Sequence, residues 1–324
     1  MEDFLIQLVL ALDATLRVAA PLMLCGMAGI FSERSGIIDI SLEGKMLAGA
    51  FAAAAVAALT HSAWLGLAAA IGTSVMMGLL HGFACITHRG NQVVSGLAIN
   101  ILASALAVTI GIALFRQGGQ TPALAQDERF RPIEWPFTEV MRDIPVLGSV
   151  YSEILSGHNL LVYVALLAVP LTAWLLYKTR FGLRIRAVGE APEAVDSAGI
   201  SVYWLRYKAV ILAGILCGIA GAYLSIAHGG GFVRDMSAGK GYIALAAVIF
   251  GKWRPLPTLG ACLLFGFLEA VTARLQGVEL PVIGEAPVEL MLAAPYVLTV
   301  ILLAGFIGKA IPPRDIGEPY PKEK

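Results

Sequence analysis

The chain has 324 residues, of which 58% are hydrophobic and 14% charged, with a mean hydropathy of +0.77. A soluble domain carries about a quarter charged residues, so this composition excludes a soluble fold and marks an integral membrane protein. Lys+Arg and Asp+Glu balance at 23 each, which removes the basic excess that a nucleic-acid partner requires. The four cysteines, Cys25, Cys85, Cys217 and Cys262, all lie in apolar runs without CxxC spacing. They read as small packing residues, not as disulfides or metal ligands. The N-terminus opens with two acids, Glu2 and Asp3, where a cleaved signal peptide would carry basic residues.

Taken in order, the apolar runs predict an all-α polytopic transmembrane bundle of about nine spans, within a range of eight to ten. They fall at about 16–31, 41–60, 64–87, 93–115, 159–177, 207–227, 238–251, 256–274 and 289–308. The first and seventh are short for full crossings. Residues 4–12 read as an interfacial helix or a lead-in to the first span, with Asp13 and Arg17 spaced to pair.

Between the first two spans, SGIIDISLEGK places Asp39, Glu43 and Lys45 in a stretch too polar for lipid and too Gly-marked for a plain helix. Such a backbone is stable at membrane depth only if it lines a cavity or is covered by protein. A tight turn at the membrane surface is the alternative. Asn91, Gln92, Ser95 and Asn100 then fall near one helical face of RGNQVVSGLAIN. Their amides suit an uncharged ligand rich in hydroxyls or base edges, and equally suit bonding to neighbouring helices. GLLHG (Gly78–Gly82) and GILCG (Gly214–Gly218) predict close helix packing.

The segment from Lys178 to Lys208 is the one long basic interruption, with six Lys/Arg against three acids. Basic residues next to spans are retained inside, which assigns this loop to the cytoplasm and the 43-residue segment Arg116–His158 to the outside. Within it, Pro192 suits a first helical turn, Glu193 favours the N-terminal dipole, and Gly199 suits a C-terminal stop. A short cytoplasmic helix between two membrane halves is a docking surface for a soluble partner; an ordinary solvated loop is the alternative.

An internal echo relates the two ends. LCGMAG (Leu24–Gly29) returns as LCGIAG (Leu216–Gly221), and each is followed by a Gly-rich stretch with a Gly-Lys pair, Gly44-Lys45 and Gly239-Lys240. Five spans separate the copies, which predicts an inverted-topology repeat: about 16–115 and 207–309, joined by a span and basic loop at about 159–206, within a single membrane domain over 1–324. The third polar cluster, Arg234, Asp235, Ser237 and Lys240 in HGGGFVRDMSAGKGY, lies in the second copy. Neither Gly-Lys pair completes a phosphate loop, and no HExxH or GxSxG is present. The chain is therefore expected to be no enzyme and to need no cofactor or metal, and any ATP hydrolysis must belong to a partner.

RAVGEAPEAVDSAGI (Arg186–Ile200) resembles the coupling loop of the permeases that serve ribose-type sugars, nucleosides and branched-chain amino acids in bacterial ABC importers. FSERSGIIDISLEGKMLAGAF (Phe31–Phe51), GNQVVSGLAIN (Gly90–Asn100), SAGKGYIALAAVIFGKWRP (Ser237–Pro255) and PYVLTVILLAG (Pro295–Gly305) resemble the nucleoside and simple-sugar branch. Asp39 and Ser41 stand where that branch more often has Asn and Gly. The resemblance implies a multi-pass inner-membrane protein that works with a cytoplasmic ABC ATPase, a second homologous permease, as a probable heterodimer, and an external solute-binding lipoprotein. It places ATPase coupling at Glu190, Pro192, Glu193, Ala194 and Gly199. A small neutral solute, a nucleoside or related sugar, would pass Asp39, Glu43, Asn91, Gln92, Ser95, Asn100, Ser237 and Lys240. The competing expectation is a self-contained secondary transporter, for which the Asp39/Glu43 pair is the plausible ion site.

Overall fold

The computed structural model describes residues 2–135, 156–275 and 310–321, with positions 148, 151–152, 279–280, 284–285, 293, 297 and 301 between them. The helices are α1 (Glu2–Arg34), α2 (Leu42–Thr60), α3 (Ala63–Gly82), α4 (Gln92–Phe115) and α5 (Leu160–Lys178). They continue as α6 (Arg180–Glu190), α7 (Pro192–Ser197), α8 (Val202–Ala222), α9 (Lys240–Phe250) and α10 (Pro255–Leu275). Helices α3 and α8 each run on into a π turn, Phe83–Thr87 and Tyr223–His228. Glu279–Leu280 (β1) and Gly284–Glu285 (β2) pair antiparallel. Among the described residues, seven helices are long and apolar enough to cross a membrane, and α9 is a shorter apolar helix.

Helix α1 differs from expectation in length. It runs unbroken from Glu2 through the expected lead-in and the first span. Arg17 Nε donates to Asp13 Oδ1 at 2.9 Å one turn away, so the two charges neutralise each other without ending the helix. Helix α8 likewise starts earlier than the hydropathy suggests. Ser201 accepts from the Trp204 amide as its N-cap, which takes Arg206 and Lys208 into the helix. The expected ninth span, about 289–308, lies outside the described residues. The chain on either side of it sits at opposite ends of α1: Arg274 donates to Gln7 O, and Gly317 N donates to Gly36 O.

The centre of the molecule is the contact of α1 with α8, where Cys25 and Cys217 bring their sulfurs to 4.0 Å in a fully buried position. These cysteines belong to the two copies of the echoed LCGxAG motif. Around them the packing is exchanged: α1 packs on α10 as α8 packs on α3, and α1 packs on α9 as α8 packs on α2. All four cysteines are buried and free, as their apolar context predicts.

The two GxxxG segments build one antiparallel seam between α3 and α8. A methyl group at Gly214 would lie 2.8 Å from Val75 Cα, and one at Gly218 would lie 2.6 Å from Ile71 Cα. Further along, one at Gly78 would lie 3.2 Å from Val210 O, and one at Gly82 would lie 3.0 Å from the Tyr207 ring. Lipid tails are as apolar as the helices, so burial alone gives no drive for association. Close backbone packing supplies it instead, and glycine is what permits the approach. Gly218→Ala must therefore push α3 and α8 apart. We expect a destabilisation of about 1–3 kcal/mol, read as a lowered thermal midpoint in detergent. Gly72→Ala on the same helix pair, where a methyl would meet nothing within 4 Å, should leave the midpoint unchanged.

Candidate functional site

After α1 the chain turns through Gly36 at φ +88 and does not resume a helix until Leu42. Its backbone groups are buried there without a helical ladder, so side chains must satisfy them. Gln92 Oε1 accepts from Ile38 N at 2.6 Å, and the His81 ring nitrogens lie 3.0 Å from Ile38 O and 3.0 Å from Ser95 Oγ. Asn100 Oδ1 accepts from Gly44 N at 2.8 Å, and its Nδ2 donates to Ile40 O and to Tyr242 Oη at 3.1 and 2.8 Å. Asn91, one residue before the helix, is exposed and caps α4 by accepting from the Val93 and Val94 amides. The amide-rich face of α4 is thus the partner of the interrupted backbone.

Asp39 and Lys45 are both fully buried. Lys45 Nζ donates to Asp39 Oδ2 at 2.6 Å, and Ser41 Oγ donates to Asp39 Oδ1 at 2.5 Å. Within SGIIDISLEGK the Lys45 charge is thus compensated by Asp39 and not by Glu43.

Glu43 reaches across to the second interruption, 229–239, where Asp235, Ala238 and Gly239 all adopt positive φ. Its Oε1 accepts from Ser237 Oγ at 2.6 Å and Gly239 N at 2.9 Å, and its Oε2 accepts from Gly241 N at 2.6 Å. Two of these donors are amides at the N-terminus of α9, where the helix dipole favours a carboxylate. The positive φ values at Asp235 and Ala238 cost energy in any non-glycine residue, and the Glu43 clamp holds them. Lys240 turns to the other side of α9 and pairs with Glu269 of α10. Sequence reasoning placed Ser237 and Lys240 in one cluster; the fold sends them to different partners. It did not single out Ser104, which donates to Asp235 Oδ1 at 2.9 Å, or Glu269 and Tyr242.

At the basic end of the molecule, Thr179 caps α6, and the chain bends at Ala191 into α7. Pro192 takes the first turn of α7, and Gly199 ends it at φ +75 with open space around it. Helix α6 was missed by the sequence reading, although Phe181, Ile185 and Val188 recur at helical spacing. Between α6 and α7 lies an open, largely apolar groove of about 650 Å³, lined by Leu183, Ala187, Ala191, Ala194 and Ala198 with Arg184 at its side. Residues 310–321 fold back over this end as a strap. Arg206, fully buried, donates to Asp315 Oδ2 at 2.6 Å, to Ser35 O and to Glu318 O. Asp315 N donates to Gly189 O, and Tyr320 Oη donates to Asp196 Oδ2. Burial raises the Asp315 carboxyl above its ordinary pKa, and the Arg206 guanidinium opposes that rise.

Removing one member of a buried ion pair leaves the other uncompensated, at a cost of about 3–5 kcal/mol, whereas removing both together is often neutral. Lys45→Met should therefore unfold the protein at much lower temperature, and the double variant Lys45→Met with Asp39→Asn should recover most of the loss. Thermal unfolding in detergent of the two variants beside the parent checks this.

The chain matches the family described as branched-chain amino acid transport system, permease component, over residues 11–305. It is 40% identical to a guanosine ABC transporter permease protein of Bacillus subtilis, over 96% of each chain. It is 36% identical to a nucleoside ABC transporter permease protein of Lactococcus lactis, over 94% of this chain and 95% of that one. A putative glucose ABC transporter permease protein of Haloferax volcanii is 33% identical over 90% of each. With seven helices among the described residues long and apolar enough to cross a membrane, and a family match over nearly its whole length, this multi-pass membrane protein belongs to the branched-chain amino acid transport system permease family.

Proposed function

We propose that the chain is the transmembrane permease subunit of an ATP-driven importer for nucleosides, resident in the bacterial inner membrane. The observation that carries this reading is the full-length similarity to guanosine and nucleoside permeases at 40% and 36% identity. The energy comes from a cytoplasmic ABC ATPase, the solute arrives on an external binding lipoprotein, and a second permease of the same kind completes the membrane path. The glucose relative keeps simple sugars as the second solute class.

The repeat belongs to the same proposal. Segments α1–α3 and α8–α10 carry the echoed motifs and exchange packing partners, the pattern of two inverted copies rocking about a shared contact. The path residues expected from sequence divide by exposure. Asp39, Glu43, Gln92 and Ser237 are buried and hydrogen-bonded within the chain, whereas Ser95, Asn100 and Lys240 are half-buried and Asn91 is exposed. The former hold the path in shape, and Asn100 stands at its edge.

Coupling is assigned to α7 and its approach. Ala194 is exposed on the groove wall, Glu193 is exposed beside it, and Glu190 sits 3.9 Å from Arg34 at the end of α1. Pro192 and Gly199 define where the helix starts and stops. A partner that closes on nucleotide binding pushes this helix, and the push reaches α1 through Glu190.

The secondary-transporter reading fares worse on a specific observation. Its ion site would need Asp39 or Glu43 to gain and lose a partner during transport. Asp39 is fully buried against Lys45 and Ser41, and Glu43 accepts three hydrogen bonds.

Two measurements test the proposal. Cysteine at Ser197 should react with an impermeant thiol reagent only from the cytoplasmic side, and cysteine at Asp127 only from outside; both on one face would overturn the topology. Ala194→Trp and Gly199→Val should insert normally yet lose ATPase co-purification or nucleoside uptake, because Val at φ +75 strains the turn and Trp fills the groove wall. Full uptake and full ATPase retention in both variants would remove the coupling role.

A further inference from the structure

Helix α4 presents two kinds of surface. Ile101, Leu97 and Val94 are exposed and apolar, suited to lipid. A neighbouring strip is polar. Asn100 and Ser104, one turn apart, are bonded to Tyr242 and Asp235, respectively, of the second interruption. Tyr242 is 43% exposed, and the Asp235 side chain is 60% exposed. Asn100 lies about 12 Å and Ser104 about 18 Å along a helix of about 36 Å, at about 1.5 Å per residue. An exposed carboxylate, an exposed phenol and a serine hydroxyl therefore sit near the middle of the membrane layer.

Lipid cannot accept that surface. A carboxylate facing hydrocarbon at mid-depth is costly, and such groups face a bundle interior or a water-filled passage. Irregular backbone at this depth obeys the same constraint. Asp235 also adopts a positive φ, two residues before the Ser237 that Glu43 binds. Within the chain Asp235 takes one hydrogen bond from Ser104 and an ion pair at 3.3 Å from the adjacent Arg234, itself 66% exposed, and the pair stays open to its surroundings.

We propose that Ser104, Asp235 and Tyr242 line the water-filled solute path and read a neutral nucleoside as it passes. Asp235 accepts hydrogen bonds from ribose hydroxyls or base N–H groups. Tyr242 accepts from Asn100 Nδ2 through its oxygen, which fixes the ring and leaves its exposed side for a planar base to stack on. Lys240 serves a different role, because it pairs with Glu269 on the other side of α9. This inference rests on the importer reading above and narrows it to a face and three residues.

The test uses the complete importer with its ATPase and binding protein. All four native cysteines are buried, so single cysteines can be introduced without removing them. Ser104→Cys should react with an impermeant, charged thiol reagent, Ile101→Cys should not, and transported guanosine should slow the Ser104→Cys reaction. Modification should stop uptake. Separately, Tyr242→Leu should lower the guanosine uptake rate roughly tenfold, the size expected for losing one stacked base, while Tyr242→Phe keeps most of the rate. If the parent importer moves guanosine but Ser104→Cys is inert and Tyr242→Leu transports normally, this face is sealed by the second permease and the inference falls. If the parent importer moves no nucleoside while retaining its ATPase, the solute assignment fails instead. Reaction at Ser104→Cys would then still mark the path.

Discussion

The Glu43 carboxylate is the constraint on which the two halves of this molecule depend. The chain leaves helical structure at 35–41 and at 229–239, and each stretch holds buried backbone groups that no helical ladder satisfies. Glu43, just inside α2, takes the Ser237 hydroxyl and the Gly239 and Gly241 amides of the opposite break. Asn100 does the reciprocal work, accepting from Gly44 at the start of α2 and donating to Tyr242 of α9. The two half-helices begin side by side, and the polar groups of each complete the other. Neither break is stable alone, which explains why the chain keeps so many polar residues in so apolar a context.

A second layer of constraint lies at the basic end. The Arg206 guanidinium is buried in a pocket made by the Ser35 carbonyl, the Asp315 carboxylate and the Glu318 carbonyl. Arg34 Nε donates to Trp253 O, and the Trp253 indole reaches Glu33. These bonds join the ends of α1 and α8, the turn before α10, and the strap 310–321. The α6–α7 elbow is therefore not a loose loop on a rigid bundle. Gly189, Glu190 and Asp196 are each bonded to the strap or to α1.

Much of this was legible in the sequence, and the limits of legibility have physical reasons. Composition and run length predicted a helical membrane bundle because a bilayer sets the length of each span. Pro192 and Gly199 predicted the start and stop of α7 because both act through local backbone geometry. The three polar clusters were found as costly residues in apolar surroundings, but not their pairings. Asp39 rather than Glu43 takes Lys45 because Glu43 already lies inside α2 and points to a loop 194 residues away. No spacing rule reaches that far. The strap was missed because IPPRDIGEPYP has no periodicity, and its order comes wholly from tertiary contacts. Helix α1 was read as a lead-in and a separate span because Asp13 and Arg17 interrupt the apolar run, although their spacing already suggested the pair that lets the helix run through.

The arrangement also bears on how work done at the surface reaches the middle of the membrane. From Glu190 beside α7, an ion pair leads to Arg34, the last residue of α1. The break that follows passes through Asp39 and Lys45 to the first turn of α2, where Glu43 grips the loop carrying Asp235 and the start of α9. The inner joints, Asp39–Lys45 and Glu43 with its three donors, are buried, and packed joints of that kind shift between discrete arrangements more readily than they deform. A tilt of α1 that carries Glu43 with it must either move residues 237–241 as well or break three hydrogen bonds. Moving Glu43 moves the turn at Asp235 that faces the polar strip of α4. The same carboxylate thus ties the position of the proposed passage lining to the position of the proposed docking helix.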